Sequence, residues 1–128
     1  MVKISKETYN KLLNNSISVK ENKYHNNKVI YKGIKFDSKK EMGYYIKLEL
    51  LQESGLIHDL KRQVEFTLIE TFTLSDKTYK KTKYIADFTY YDKDNKYHVV
   101  DVKGYKTQEY KLKKKLMAWK YGIEIEEV

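Results

Sequence analysis

One stretch constrains this chain more than any other: two runs of aromatic and β-branched residues joined by a short polar link. The first run is Tyr84-Ile85-Ala86-Asp87-Phe88-Thr89-Tyr90-Tyr91, and the second is Tyr97-His98-Val99-Val100-Asp101-Val102-Lys103-Gly104. Between them lies Asp92-Lys93-Asp94-Asn95-Lys96. Both runs have the composition of strands, and asparagine tolerates a left-handed backbone, so the segment predicts a β-hairpin. If the link is the three-residue type, 93–95, with Asn95 in the bulge position, Asp92 faces Lys96. Counting back sets Phe88 opposite Val100 and Asp87 opposite Asp101. Alternation then places Asp87, Val99, Asp101 and Lys103 on one face. A two-residue link would put the two acids on opposite faces.

Two carboxylates in direct opposition repel, by about 4 kcal/mol at ~4 Å and an effective dielectric near ~20. Either a positive group sits between them, or one is protonated, or the register is different. Hard divalent cations take carboxylate oxygens. A lysine two residues on, sharing that face, can reach a phosphate or a water. Acid, facing acid and neighbouring lysine together read as a metal-dependent phosphodiesterase site. The alternative is a solvated hairpin with scattered charges.

The chain has 128 residues, a length that suits one domain, and a 41% hydrophobic fraction that allows a real core. Charged residues make up 34% and the formal net charge is +8, which favours a polyanionic partner. There is no cysteine, so disulfides and thiolate zinc sites are excluded. The opening run turns polar at once, no apolar run approaches membrane-spanning length, and no amphipathic anchor is found. The expectation is a cytoplasmic protein with no membrane partner. His25, His58 and His98 are scattered, and no glycine-rich phosphate loop appears.

Along the chain, residues 5–13 predict a short helix, and residues 14–27 a polar, basic arm. Val29-Ile30-Tyr31 and Ile34-Lys35-Phe36 read as short strands joined at Lys32-Gly33. Ser38-Lys39-Lys40-Glu41 is a helix-start signature, and the helix should run to about Glu53 with Tyr44, Tyr45, Leu48 and Leu51 as its apolar stripe. Glu41 projects from the first turn on the inward side, where it can also serve as a capping-box glutamate. Residues 64–70 alternate as a strand, 75–78 read as a turn, and 80–91 as the returning strand. Thr107 to about Tyr121 predicts the last helix, closed by Gly122, with Leu112, Leu116 and Trp119 as its buried stripe and lysines elsewhere. Residues 123–126 alternate as a final strand.

The order is helix, three-strand antiparallel meander, helix, strand, in a mixed α/β chain. Glu41 lies on the first helix, Asp87 on the middle strand, and Asp101-Val102-Lys103 on the next. This resembles the PD-(D/E)XK nuclease superfamily with its restriction-endonuclease-like core, most of all the small phage-encoded endonucleases and, more distantly, phage Holliday-junction resolvases. The stretches that carry the likeness are Gly33-Ile34-Lys35-Phe36-Asp37-Ser38-Lys39-Lys40-Glu41, Tyr84-Ile85-Ala86-Asp87-Phe88 and Val100-Asp101-Val102-Lys103-Gly104. The family motif has proline before its aspartate, where this chain has Ala86.

The resemblance implies a nuclease domain over 28–128, with 1–27 as a separate basic segment. It implies that Asp87, Asp101 and the Val102 carbonyl bind Mg2+, with Mn2+ as substitute, and that Glu41 binds or orients that metal or a second one. Lys103 would position the attacking water and neutralise phosphate charge. The reaction implied is DNA phosphodiester hydrolysis to 5′-phosphate and 3′-hydroxyl ends, on branched or recombination-intermediate DNA. Ser38, Lys39, Lys40, Gln63, Lys106, Lys111, Lys114 and Lys115 are candidate DNA contacts. Junction cutters need two active sites, which makes a homodimer a candidate assembly. The alternative is a non-catalytic basic nucleic-acid-binding module on a degenerate nuclease fold.

Overall fold

The structure is a computed structural model that describes residues 28–102 and 106–128, together with the backbone of 18–20. The chain is mixed α/β and divides into two compact units. The first runs to Leu60 and takes back Tyr91–Asn95, and the second comprises Lys61–Tyr90 and Lys96–Val128. The helix expected over 5–13 lies outside the described residues, as does most of the arm that follows it.

In the first unit, strands β1 (Ser18–Lys20), β2 (Lys28–Tyr31) and β3 (Ile34–Phe36) form an antiparallel sheet in that order. β1 lies within the stretch expected as an arm, and Val19 pairs with Val29. Tyr31 pairs with Ile34, so Lys32 and Gly33 make the whole turn. Their φ values, 48° and 77°, are the positive pair that a two-residue hairpin requires, and Gly33 takes its share without Cβ strain.

Helix α1 (Lys39–Glu53) starts where the signature places it. Ser38 is extended, and its Oγ accepts the Glu41 N–H at 3.1 Å. The buried face carries Met42, Ile46, Leu48 and Leu51 rather than the expected Tyr44 and Tyr45, which are half-buried. The Tyr45 ring lies against Phe36 (5.3 Å) and edge-on to Tyr31 (6.2 Å). Tyrosine presents an apolar ring and a polar tip, so it settles at the rim while unbranched and aliphatic chains go beneath.

The hairpin tip also belongs to this unit. Asn95 has φ 59°, its N–H donates to the Asp92 carbonyl (3.0 Å), and the Asp94 N–H donates to Asp92 Oδ1 (2.8 Å). This is the left-handed asparagine that the three-residue link calls for. His58 packs flat on Tyr91, with ring centroids 5.4 Å apart, and its Nε2 lies 3.0 Å from Asn95 Oδ1.

Strand β4 (Ile57–Ile69) begins well before the expected residue 64. Asp59 (φ 55°) and Gln63 (φ 51°) are left-handed within it, as in β-bulges, and each breaks the alternation by which a strand is read. In the second unit, β5 (Phe72–Leu74) and β6 (Lys77–Tyr79) form a two-stranded sheet of their own, turned at Ser75 and Asp76. Strands β7 (Thr82–Asp92), β8 (Tyr97–Asp101) and β9 (Glu126–Glu127) complete a sheet of order β4-β7-β8-β9, with β9 parallel to β8. Helix α2 (Gln108–Tyr121) lies between β8 and β9 in the chain. The sequence of elements is therefore the expected one, with the β5–β6 hairpin inserted.

The core of this unit joins Leu68, Tyr84, Ala86, Val99, Met117 and Ile125. The expected stripe of α2 is corrected: Leu112 (56%) and Trp119 (79%) are exposed, and Leu116 is half-buried. The helix turns Tyr110 and Met117 inward instead. Its last turn is fastened there, since the Tyr121 hydroxyl donates to the Thr67 carbonyl (2.6 Å) and its ring meets Phe66 edge-on (5.7 Å). No helix among the described residues is long and apolar enough to cross a membrane.

Replacing the α1 cap, Ser38→Ala, leaves the Glu41 N–H without its acceptor and should cost about 1 kcal/mol. Urea denaturation of the two proteins should show a lower midpoint with an unchanged slope.

Candidate active site

β7 and β8 are neighbours in the sheet, and each carries a buried acid. Asp87 is 1% exposed and Asp101 4%. β8 stops at Asp101, so the next N–H, that of Val102, leaves the strand ladder and needs an acceptor. Asp87 Oδ2 supplies it at 2.7 Å. The Asp101 side is held as firmly. Tyr84 Oη donates to Asp101 Oδ2 at 2.9 Å, and the Asp101 carbonyl accepts the Val128 N–H at 3.1 Å. The Asp87 carboxylate thus sits at the peptide that follows Asp101, and a hydrogen bond to a charged oxygen is the stronger kind.

The strand faces explain how this comes about. Tyr90 stacks on His98, with ring centroids 4.7 Å apart, and so shares its face. Tyr84 and Ala86 pack with Val99, on the other face of β8. Tyr84 and Tyr90 are an even number of residues apart, so β7 shifts its alternation once between Ala86 and Tyr90. Asp87 lies within that interval.

Sequence reasoning did not single out two tyrosines that complete the site. Tyr84 has its pKa pushed far above the ordinary phenol value, by burial first and then by the charge and hydrogen bond of Asp101, with Asp87 contributing. Tyr110, in the first turn of α2, is raised by burial first, then by the charges of Asp101, Glu127 and Asp87. Both carboxylates therefore act on both hydroxyls. Tyr110 Oη is itself buried and bonded to no group among the described residues. A pocket opens here, lined by Lys83, Tyr84, Asp101, Thr107, Tyr110 and Lys113. Lys83 pairs with Glu65 (2.9 Å) and Lys113 with Glu109 (3.1 Å), which leaves a mixed-charge rim around an acidic floor.

The other candidates fall as follows. Glu41 is 3% exposed in the first turn of α1, in the first unit. Lys103 lies outside the described residues. Ser38 is engaged as the helix cap, and Lys39 and Lys40 are exposed beside it. Gln63 is one of the two left-handed residues of β4, a strained position for a non-glycine. Lys106 lies 4.0 Å from Glu127, Lys114 pairs with Glu127, and Lys111 and Lys115 are exposed. Among the described residues no group of three or more His, Cys, Asp or Glu side chains is placed to hold a metal ion. The chemistry of the donors still suits a hard cation. Asp87 and Asp101 offer carboxylate oxygens, and the orphaned Tyr110 hydroxyl is a group that a hydrated ion or a phosphate would satisfy.

A family profile described as "Protein of unknown function (DUF1064)" matches residues 21–126. The chain belongs to the DUF1064 family. The DUF1064 match takes in α1, strands β4, β7 and β8 and α2, and with them all the candidate residues named from the sequence. No curated protein and no solved structure matches the chain.

Both tyrosine pKa values are raised on folding. The stability they contribute is complete below about pH 10, the ordinary phenol value, and is lost as pH rises through the higher native values. Tyr84→Phe leaves the buried Asp101 with one donor fewer and should cost roughly 1–3 kcal/mol at neutral pH. Denaturation followed at increasing pH should show a shallower alkaline decline in Tyr84→Phe than in the wild type.

Proposed function

We propose that the chain is a metal-dependent DNA endonuclease of the PD-(D/E)XK kind. The observation that carries this reading is the hydrogen bond from the Val102 N–H to Asp87 Oδ2, which sets two buried strand acids on either side of one peptide. Two buried carboxylates on neighbouring strands are a donor set that a cation would complete. Asp87 and Asp101 would hold Mg2+ or Mn2+, with the Val102 carbonyl as a further oxygen donor. The resemblance assigns Glu41 to the same ion and Lys103 to the attacking water. When bound, the metal activates water and neutralises charge gathering on the scissile phosphate.

The chain's own groups do the rest. The Val102 N–H and the Tyr84 hydroxyl fix the two carboxylates in orientation. Tyr110 keeps its proton because its pKa is raised, so its hydroxyl can donate to a phosphate oxygen. α2 begins at the same pocket, with Thr107 as its cap, and a helix N-terminus favours an anion. Water adds to phosphorus as the bond to the 3′ oxygen breaks, and that oxygen takes up a proton. The products carry 5′-phosphate and 3′-hydroxyl ends. The preferred substrates on this reading are branched or recombination-intermediate DNA, such as a four-way junction.

Purified protein should cut supercoiled plasmid and a four-way junction with Mg2+ or Mn2+, leaving nicks that ligase reseals. Asp87→Asn and Asp101→Asn should each lower the rate by about a hundredfold or more, at or beyond the ~10–100-fold typical of outer-shell partners such as Tyr84. DNA binding should survive in both variants. A wild-type protein that binds DNA and never cuts with either metal would instead be the non-catalytic binding module.

A further inference from the structure

The lysines of α2 divide by what they touch. Lys113 pairs with Glu109 (3.1 Å), Lys114 pairs with Glu127, and Lys120 donates to the Thr67 carbonyl (2.9 Å). Lys111 and Lys115 are exposed and have no acidic partner among the described residues. Helical spacing sets Lys111, Lys115 and Trp119 in a row, each four residues from the next, and Leu112 shares the Trp119 face. Trp119 is the most exposed large apolar side chain described, at 79%. Beside this row runs a groove lined by Lys111, Lys114, Lys115 and Ala118, with Glu124 and Ile125 on its far wall.

An indole left in water at the end of a row of two ammonium groups, neither with an acidic partner among the described residues, is the chemistry of a base-stacking platform. Every nucleic-acid base offers a flat π-face, and only an unpaired base can offer it to a side chain. The apolar part, Leu112 and Trp119, is too small to seat a protein surface but matches one or two bases. The charges of Lys111 and Lys115 match successive phosphates leading away from the stacked base, in a chain whose net charge is +8. Glu124 repels phosphate and confines the backbone to the Lys111–Lys115 side of the groove.

We propose that this outer face of α2 binds single-stranded nucleic acid, with Trp119 stacked on an unpaired base and Lys111 and Lys115 holding successive phosphates to one side of it. The proposal shares with the nuclease reading only the class of partner, and it requires no cleavage.

Trp119 is the only tryptophan in the chain, so its emission reports on this face alone. The full chain is titrated in EDTA with a single-stranded oligonucleotide, with a blunt duplex of the same sequence and with heparin. The single strand should quench the emission, while duplex and heparin bind without that change. Measured by anisotropy of a labelled oligonucleotide, Trp119→Ala should weaken single-strand binding about tenfold, and Trp119→Phe should keep most of it. Lys111→Ala with Lys115→Ala should make the slope of log affinity against log salt shallower by about 1.4. Unchanged emission at saturating single strand, or the same change with all three polyanions, overturns the proposal. So does a dimer in solution that Trp119→Ala splits, since the face is then covered by a second copy. Because EDTA blocks cleavage, a protein that fails here can still be a nuclease, and one that never cuts can still pass.

Discussion

Two buried carboxylates on adjoining strands are the constraint around which the second unit is arranged. Left without donors, buried carboxylates would destabilise the strands that carry them. The chain answers with donors: a peptide N–H for Asp87 and a phenol for Asp101. Each donor has its own reason to be there. The N–H is freed because β8 ends at Asp101, and the phenol is brought in because Tyr84 is also part of the packed core. The parallel pairing of β9 with β8 braces the same point from the other side, through Asp101↔Glu127 and the bond to Val128. Fold and candidate chemistry therefore use the same contacts, and neither can be altered without disturbing the other.

Much of this was legible in the sequence wherever one residue type has one physical use. Asn95 announced a left-handed turn, Ser38 and Thr107 announced helix starts, and Gly122 announced a helix end. The long apolar runs of β7 and β8 announced strands, and the order of elements followed. What was not legible depended on which of two acceptable faces a segment would choose. α2 is apolar on two sides, with Leu112, Leu116 and Trp119 along one and Tyr110, Met117 and Tyr121 along the other. Periodicity alone cannot rank them. The bond from Tyr121 to Thr67, far off in sequence, decides the matter.

The site was legible to the same degree. Asp87 and Asp101 stood out because carboxylates are rare inside strands of this composition. Their direct opposition was inferred by counting back from the three-residue link; the bond from the Val102 N–H to Asp87, which no residue spacing announces, ties the two strands together there. Tyr84 and Tyr110 did not stand out, because the chain has 13 tyrosines and no spacing rule marks those two. The early start of β4 was hidden by Asp59 and Gln63, whose left-handed backbones interrupt the pattern from within.

The β5–β6 hairpin stands apart from this interdependence. Its ladder is its own, its residues 70–81 are exposed throughout, and its Phe72–Tyr79 stack is internal to it. A finger with a sheet of its own, tied back by the exposed Lys81–Glu65 pair at its base, can be lengthened, trimmed or exchanged at its tip while the acids stay in register. Relatives of this chain are thus free to vary in that loop, and diversity among them should collect there before it reaches the strands.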